Sequence, residues 1–258
     1  MRFGLLPAIP AELARAPTLG AQPMASRTPA PVLDRSAVNF LPRMFGNDTL
    51  NDCTAAALGN TALAVGALDG FLPIVTGLAV RAFYAATGGY IPGQPATDHG
   101  AVLTRVMAYQ ARSGFHTGAD LLTGPWATFD PQDRRMHALA METFGVGNIG
   151  VALSLADIAQ AQAGAPWDTT PVSGYDSTPG SAGLHDLLTW DYAGLGDTDL
   201  VRLPTWGGFQ KATWRWLLRA AVEAHVLAWR PLLKTAGANW TGVDYAAMAA
   251  ETAAFGTP

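Results

Sequence analysis

The chain contains a single cysteine, Cys53, and a thiol is the side chain best suited to nucleophilic catalysis near neutral pH. Cys53 follows a polar turn, FGNDTLND, and lies at the start of a run rich in helix-forming residues. In the first turn of a helix, unpaired N–H groups and the helix dipole stabilise a thiolate, so this position predicts a lowered thiol pKa. On composition alone, a lone cysteine is a small buried hydrophobic residue. The position favours a nucleophile, or the structural relic of one.

A thiol nucleophile needs a proton acceptor, and His185 is the best placed of the five histidines. It follows a loop rich in Gly, Ser and Pro and begins a predicted strand. The other four are dispersed, without a metal-ligand spacing such as H-E-x-x-H, and we expect them on the surface or in packing. They are His99, His116, His137 and His225. We therefore predict a Cys53–His185 pair, no metal and no other cofactor.

Several short motifs accompany these two residues in a definite order. They are Asn47 and GNDTLNDCTAAA around Cys53, then Tyr84, Gly89-Tyr90-Ile91-Pro92-Gly93, Asp98-His99-Gly100, Gly150-Val151-Ala152-Leu153, Gly183-Leu184-His185, Thr205-Trp206-Gly207 and Gly242-Val243-Asp244. Each is weak alone. Their order and spacing, over about residues 40 to 255, resemble the papain-like cysteine peptidases, most closely a branch found in bacteriophages and prophages. The 132 residues from Cys53 to His185 fall within the ~130–150 typical of nucleophile and base in papain-type enzymes.

The resemblance implies an α+β, two-lobed papain-like fold, with a helical lobe, an antiparallel stranded lobe and a cleft between them. It also implies acyl transfer at a peptide or amide bond: Cys53 attacks the carbonyl and His185 carries the proton. Asn47, six residues before Cys53 where the family has an amide, would bind the oxyanion together with the Cys53 N–H. From the residues alone, Asn47 is equally a turn residue bonded to its own backbone. Peptide, isopeptide and cell-wall amide substrates all stay open.

Two positions depart from the family pattern. The family's asparagine that orients the histidine lies two residues before the Trp-Gly pair, where this chain has Pro204. Thr205 or a water molecule must then hold the imidazole. Asp186 follows His185 where a small apolar residue is usual. On a strand it points to the face opposite His185, where a buried carboxylate needs a partner.

The elements that position these residues divide the chain into a helical first half and a stranded second half. Helices are predicted within TLNDCTAAALGNTALAVGAL with Asn51 or Asp52 as N-cap, and over Leu78–Ala86, Ala101–Arg112, Asp130-Pro131 to Phe144, Ala156–Gln162, Leu217–Leu233 and Tyr245–Ala253. Strands are predicted at Asn148–Leu153, in HDLLTWDY and in DLVRLPTW. The last two are joined by a hairpin-like connection, AGLGDT, that contains glycines. The predicted lobes are a helical one at about 46–145 and a stranded one at about 146–215, before C-terminal helices at about 216–255.

Residues 1–45 form a segment of different character. They hold seven of the 18 prolines, and their five Arg and two acids give +3 against −7 for the remainder. Because proline fixes φ and removes a backbone donor, we predict an extended basic arm. Two interpretations stay open: a strap over the protein's own surface, or an arm that docks on another subunit.

Composition limits the functional class. The net charge of −4 argues against a nucleic-acid ligand, and a single cysteine excludes an internal disulfide. No stretch is apolar and long enough for a signal peptide or membrane span, so we expect a soluble protein without a membrane partner, in a host cytoplasm or a phage virion. Charged residues are only 14%, which fits either a surface covered by partner subunits or a genome bias that leaves 14 Arg and two Lys. The rival function is therefore a capsid- or tail-associated virion component with weak or no catalysis, whose arm would contact other virion subunits.

Overall fold

The computed structural model describes residues 2–70, 73–118, 120–229 and 242–255 and has an α+β architecture. The helices are α1 (Pro10–Leu13), α2 (Cys53–Leu68), α3 (Gly77–Gly88), α4 (Leu103–Ser113), α5 (Arg134–Phe144), α6 (Leu155–Gln162), α7 (Trp214–Ala220) and α8 (Tyr245–Phe255). The strands are β1 (Leu5–Leu6), β2 (Ala101–Val102), β3 (Phe115–Thr117), β4 (Asp120–Leu122), β5 (Trp126–Phe129), β6 (Gly147–Leu153), β7 (Gly183–Thr189), β8 (Asp191–Tyr192), β9 (Leu200–Thr205), β10 (Gly208–Thr213) and β11 (Ala221–Leu227). Within these ranges, every helix is too short or too polar to cross a bilayer.

The main sheet has four antiparallel strands in the order β5-β11-β6-β7. A second antiparallel sheet has the order β10-β9-β8, and β3 pairs with β4. β1, close to the start of the chain, pairs in parallel with β2. In the main sheet, Val151 lies opposite His185 and Gly150 lies opposite Asp186. This register places the two neighbouring polar residues of β7 on opposite faces.

Helix α2 is the central helix of the molecule, and its first fourteen residues are all buried. Its alanines, glycines and leucines leave no polar face, which is typical of a helix enclosed on all sides. It packs along β7. Its buried amide Asn60 bonds both backbone groups of Arg43, accepting at 2.8 Å and donating at 2.9 Å. The helix therefore has a fixed position against the sheet, and Cys53 is its first residue.

The apolar core is divided between the two faces of the main sheet. One cluster joins α2, α3 and α4 to the face of β7 that carries Leu188. The other joins α5, α7 and a group of buried tryptophans to the face that carries Leu187. The α+β architecture predicted from the sequence is present, and β7 contributes residues to both clusters.

Most predicted elements are present, with corrections at three places. Helix α5 begins at Arg134, capped by Asp133, and not at Asp130-Pro131. Ala101–Val102 is a strand, so α4 begins two residues later than predicted. The predicted helix Leu217–Leu233 is wrong: α7 ends at Ala220 and β11 follows, while residues 230–233 lie outside the described ranges. β11 pairs with strands on both sides, and this tertiary pairing outweighs the local propensity.

The described part of the arm lies on the body of the same chain. Apolar side chains from it are buried in both core clusters: Leu5, Leu19, Met24 and Phe40. Arg35 is also buried, and its guanidinium donates to the carbonyls of Trp190 at 2.8 Å, Met141 at 2.6 Å and Gly145. A strap over the protein's own surface accounts for these contacts. Docking of the arm on another subunit stays a prediction, as do the lobe boundaries.

We expect Arg35 to anchor the arm. Arg35→Met should lower the free energy of unfolding by about 2–5 kcal/mol, because it leaves three buried carbonyls without their donor. Arg27→Met, in the same arm, removes only a partly exposed ion pair with Glu142 and should cost less than about 1 kcal/mol. Urea unfolding of both variants measures the difference, and equal losses would contradict an anchoring role.

Candidate active site

The loop that leads into Cys53 is held by residues of the distant motif Asp98-His99-Gly100. The Asn51 N–H donates to both carboxylate oxygens of Asp98, at 2.9 and 3.1 Å. The Tyr84 hydroxyl donates to Asp98 at 2.6 Å and accepts from the Gly100 N–H at 2.9 Å. Asp98 therefore fixes the entry to α2, and Asp52 is the N-cap residue as predicted, although its side chain makes no capping bond. Cys53 begins the helix, as predicted.

His185 lies on β7 and is held by the last residue of β9 and by the residue that follows it. Its Nε2 is 2.8 Å from the Thr205 hydroxyl oxygen. The Trp206 ring stacks on the imidazole with the centroids 4.4 Å apart. Thr205 thus supplies the contact expected of it in place of the missing asparagine. The Nδ1 atom of His185 has no hydrogen-bond partner among the described residues.

Cys53 and His185 lie on packed elements, and both side chains are fully buried. The backbone N–H of Asp186, the residue after His185, faces the Cys53 sulfur as a hydrogen-bond donor. Within the described residues, Nδ1 makes no hydrogen bond and Nε2 bonds to Thr205, so none joins the imidazole to the sulfur. The structure therefore places the thiol beside the strand that carries the imidazole, and the catalytic pair itself stays a prediction.

Asn47 lines the same small cavity as Cys53. The cavity also includes Asp186, Thr205 and Trp206. Asn47 is 3% exposed, and its Oδ1 has no hydrogen-bond partner among the described residues. Its side-chain oxygen is therefore not used in a turn.

An extended peptide from the start of the chain lies across Cys53. The Phe3 ring makes edge contacts with both His185 and Trp206, at centroid distances of 6.2 Å. The Gly4 N–H faces the Cys53 sulfur, and the Gly4 carbonyl accepts from the Ala101 N–H at 2.9 Å. We call Phe3–Leu6 the cleft segment. It occupies the space above the thiol as a bound strand.

Gly4 is required for this close approach. A Cβ at this position would lie 1.7 Å from the carbonyl oxygen of Asn51, the residue that leads into α2. The cleft segment was not predicted, because the proline content of the whole arm indicated only an extended chain. The available signal was the short apolar run FGLL before Pro7.

Burial decides the protonation of the site. Burial raises the pKa of the Cys53 thiol, and the nearby Asp186 carboxylate raises it further. Burial lowers the pKa of His185 to about 3. The prediction of a lowered thiol pKa is therefore wrong for this closed arrangement, since desolvation outweighs the helix dipole. Thiol and imidazole are both neutral near pH 7.

Two buried carboxyl groups lie beside the thiol. Asp186 is 2% exposed, and both of its oxygens lack a hydrogen-bond partner among the described residues. Burial, and then the neighbouring Glu223, hold its pKa well above the usual range. Burial also raises the pKa of Asp52 to about 7. The partner predicted for Asp186 is not found in the described part of the chain.

The other histidines take no part in this site. His99 and His116 are exposed. His137 is buried, its Nε2 lies 2.9 Å from the Pro131 carbonyl, and burial lowers its pKa to about 4. His225 is buried 3.1 Å from Glu223. The described residues contain no group of three His, Cys, Asp or Glu side chains arranged to hold a metal ion.

Solved structures similar to this chain include cysteine proteases. Xylellain, a cysteine protease from Xylella fastidiosa, is 17% identical with a TM-score of 0.60, over 87% of this chain and 95% of that one. Procathepsin B S9 from Trypanosoma congolense is 8% identical with a TM-score of 0.57, over 88% and 87%. The bromelain protease from Ananas comosus is 10% identical with a TM-score of 0.51, over 78% and 100%. The chain matches no protein-family model and no curated protein. These likenesses show a papain-like fold.

Asp52 should make stability fall as the pH rises. Burial raises its pKa from 3.8 to about 7, so the native state binds the proton more tightly than the unfolded state does. The free energy of unfolding that this proton contributes is therefore lost as the pH rises from about 4 to 7. Asp52→Asn should leave stability unchanged at pH 4 and raise the free energy of unfolding by up to about 4 kcal/mol at pH 8. Asp48→Asn, at an exposed neighbour, is the matched control. A gain for Asp52→Asn that is independent of pH would refute the assignment.

Proposed function

We propose that the chain is a cysteine hydrolase of peptide or amide bonds, with Cys53 as nucleophile and His185 as base. One observation carries the proposal: an extended peptide, the cleft segment, lies over Cys53 with its backbone paired to β2. A cleft that binds extended backbone beside a cysteine at a helix start has the form that a peptide-bond hydrolase needs. The papain-like fold supports the same conclusion.

The proposed reaction begins when the cleft segment leaves. Cys53 transfers its proton to Nδ1 of His185, which has no partner among the described residues, and the sulfur attacks the substrate carbonyl carbon. The Cys53 N–H and the Asn47 amide bind the oxyanion. His185 then protonates the leaving amine as the C–N bond breaks and a thioester forms. Water, deprotonated by His185, hydrolyses the thioester and restores the thiol.

Thr205 is the residue that keeps the imidazole in register for these steps. Its hydroxyl lies 2.8 Å from Nε2, on the side of the ring remote from Nδ1. The stacked Trp206 limits tilting of the ring. A neutral hydroxyl stabilises an imidazolium less than a carboxylate would, so this arrangement orients the base without holding it charged.

The closed state is proposed to be latent. Both reacting groups are neutral there, whereas a working pair needs a thiolate and an imidazolium. Removing the cleft segment would admit water, restore the influence of the helix dipole and bring both pKa values towards neutrality.

The burial of Cys53 favours the rival function, a phage virion component that uses the fold as a scaffold. Cys53 is fully buried and burial raises its thiol pKa, as for a cysteine that serves only in packing. A phage origin, a virion location and contacts of the arm with other subunits remain predictions from the sequence.

The Gly4→Ala variant tests the proposal in the full chain. Its new methyl group cannot fit against Asn51, so it should displace the cleft segment. We expect iodoacetamide to modify Cys53 at least about tenfold faster than in the unmodified protein. Gly20→Ala, at an exposed arm position with room for a methyl group, should react like the unmodified protein. In addition, Gly4→Ala should release fluorescence from labelled casein, and Gly4→Ala with Cys53→Ala should not.

The role of His185 is tested in the same opened chain. At about pH 6, an imidazolium-stabilised thiolate still reacts, while an ordinary thiol of pKa ~8.5 is almost fully protonated. His185→Ala should therefore slow alkylation at pH 6 and have little effect at pH 9. Identical pH profiles with and without His185, together with inert casein, would end the hydrolase proposal and favour the scaffold.

A further inference from the structure

The side chain of Leu5 fills a pocket beside Cys53 whose floor is Gly150. The point where a Cβ of Gly150 would lie is 2.7 Å from Leu5 Cδ2, 2.7 Å from Glu223 Cγ and 3.3 Å from Glu223 Oε1. Because Gly150 has no side chain, this position in the middle of the sheet stays open above the backbone. Leu5 is 4% exposed and takes up that space.

Two acidic side chains flank the floor on the same face of the sheet. Asp186 on β7 and Glu223 on β11 both lie opposite Gly150 in the strand registers. Directly opposed residues of antiparallel strands share a face, so both carboxyl groups lie on the Leu5 side of Gly150. Leu184 and Leu188, two residues to either side of Asp186, belong to the core cluster that contains Leu5 and Cys53, which fixes the face.

These acids are buried without adequate partners. Each is 2% exposed. His225 lies 3.1 Å from one oxygen of Glu223, but Oε1 of Glu223 and both oxygens of Asp186 have no hydrogen-bond partner in the described part of the chain. No ion pair among the described residues includes Asp186, and that of Glu223 is with His225 alone. An unpartnered buried carboxyl is destabilising, and the apolar Leu5 side chain gives neither of them a donor.

A peptide side chain that carries donors would satisfy this pocket. The cleft segment shows how a peptide lies there, with its backbone paired to Ala101 and one side chain over Gly150. A lysine or arginine at that place has an apolar stem long enough to follow the path of Leu5, and a cationic end that can donate to both acids. A neutral or acidic side chain would leave the carboxyl groups unpaired or add repulsion.

We propose that the pocket filled by Leu5 binds a basic side chain of the substrate, with Asp186 and Glu223 as the specificity-determining residues. The proposal rests on the proposed function, since it takes the peptide in the cleft to be a stand-in for substrate. Leu5 then serves as a weak occupant, which a basic substrate displaces.

The first test changes the occupant within the full chain and needs no catalysis. Leu5→Lys and Leu5→Met give side chains of similar length that differ in charge. Leu5→Lys should hold the cleft segment more tightly, and iodoacetamide should modify Cys53 at least about tenfold more slowly than in Leu5→Met. Leu5→Glu should react fastest. In a background with both Asp186→Asn and Glu223→Gln, the advantage of Lys over Met should disappear. Equal or faster reaction of Leu5→Lys in a folded chain would overturn the proposal.

The second test presents the side chain on a separate molecule, which also covers the case that Leu5→Lys does not fold. Tripeptide chloromethyl ketones with Lys, Met or Glu at each of the two residues next to the electrophile are reacted with the Gly4→Ala chain. At one of these positions, the lysyl probe should label Cys53 at least about tenfold faster than the methionyl probe. Asp186→Asn with Glu223→Gln should remove that preference. A methionyl probe that labels as fast, or a preference that survives both substitutions, would overturn the pocket.

The two proposals can fail separately. Labelling of Cys53 requires one chemical step and no turnover. A Gly4→Ala chain that prefers the lysyl probe and yet cleaves no peptide supports the pocket and refutes the hydrolase. A chain that cleaves casein but shows no preference for Lys supports the hydrolase and refutes the pocket.

Discussion

The burial of Cys53 and His185 determines the chemical state of the site. Both side chains are fully buried, with Phe3 against the imidazole and Gly4 against the thiol. Desolvation then raises one pKa and lowers the other, and the pair that would react becomes a neutral thiol beside a neutral imidazole. The helix dipole, which acts in the opposite direction, is the smaller effect while the segment is in place.

Small residues allow the cleft segment, α2 and β7 to pack closely around Cys53. Helix α2 can lie against β7 because its residues are small, and Gly4 can lie against Asn51 because it has no side chain. Strand β7 then presents His185 to one face and Asp186 to the other, so one strand carries both the proposed base and a wall of the proposed specificity pocket. Gly150 leaves the room in the sheet that a bound side chain needs.

The sequence predicted the parts of the site that depend on local structure. The helix start at Cys53 and the N-cap position of Asp52 follow from short-range patterns. The contact between Thr205 and His185 was one of two alternatives that the family resemblance implied, the other being a water molecule. It did not predict the cleft segment, because pairing Gly4 with Ala101 closes a loop of almost a hundred residues and has no local signature. The strand β11 was missed for a similar reason, since its helix-forming residues are held extended by neighbours on both sides.

Titration of Cys53, the only thiol in the sequence, tests most directly whether the cleft segment keeps this thiol neutral. Thiolate absorbance near 240 nm, taken as the difference from a Cys53→Ser protein, reports ionisation of Cys53 without a substrate. If the cleft segment keeps the thiol neutral, the unmodified protein shows no thiolate up to about pH 9, and Gly4→Ala shows a thiolate that forms below the ~8.5 of a free thiol. A thiolate already present at neutral pH in the unmodified protein, or the same titration in both proteins, would contradict it.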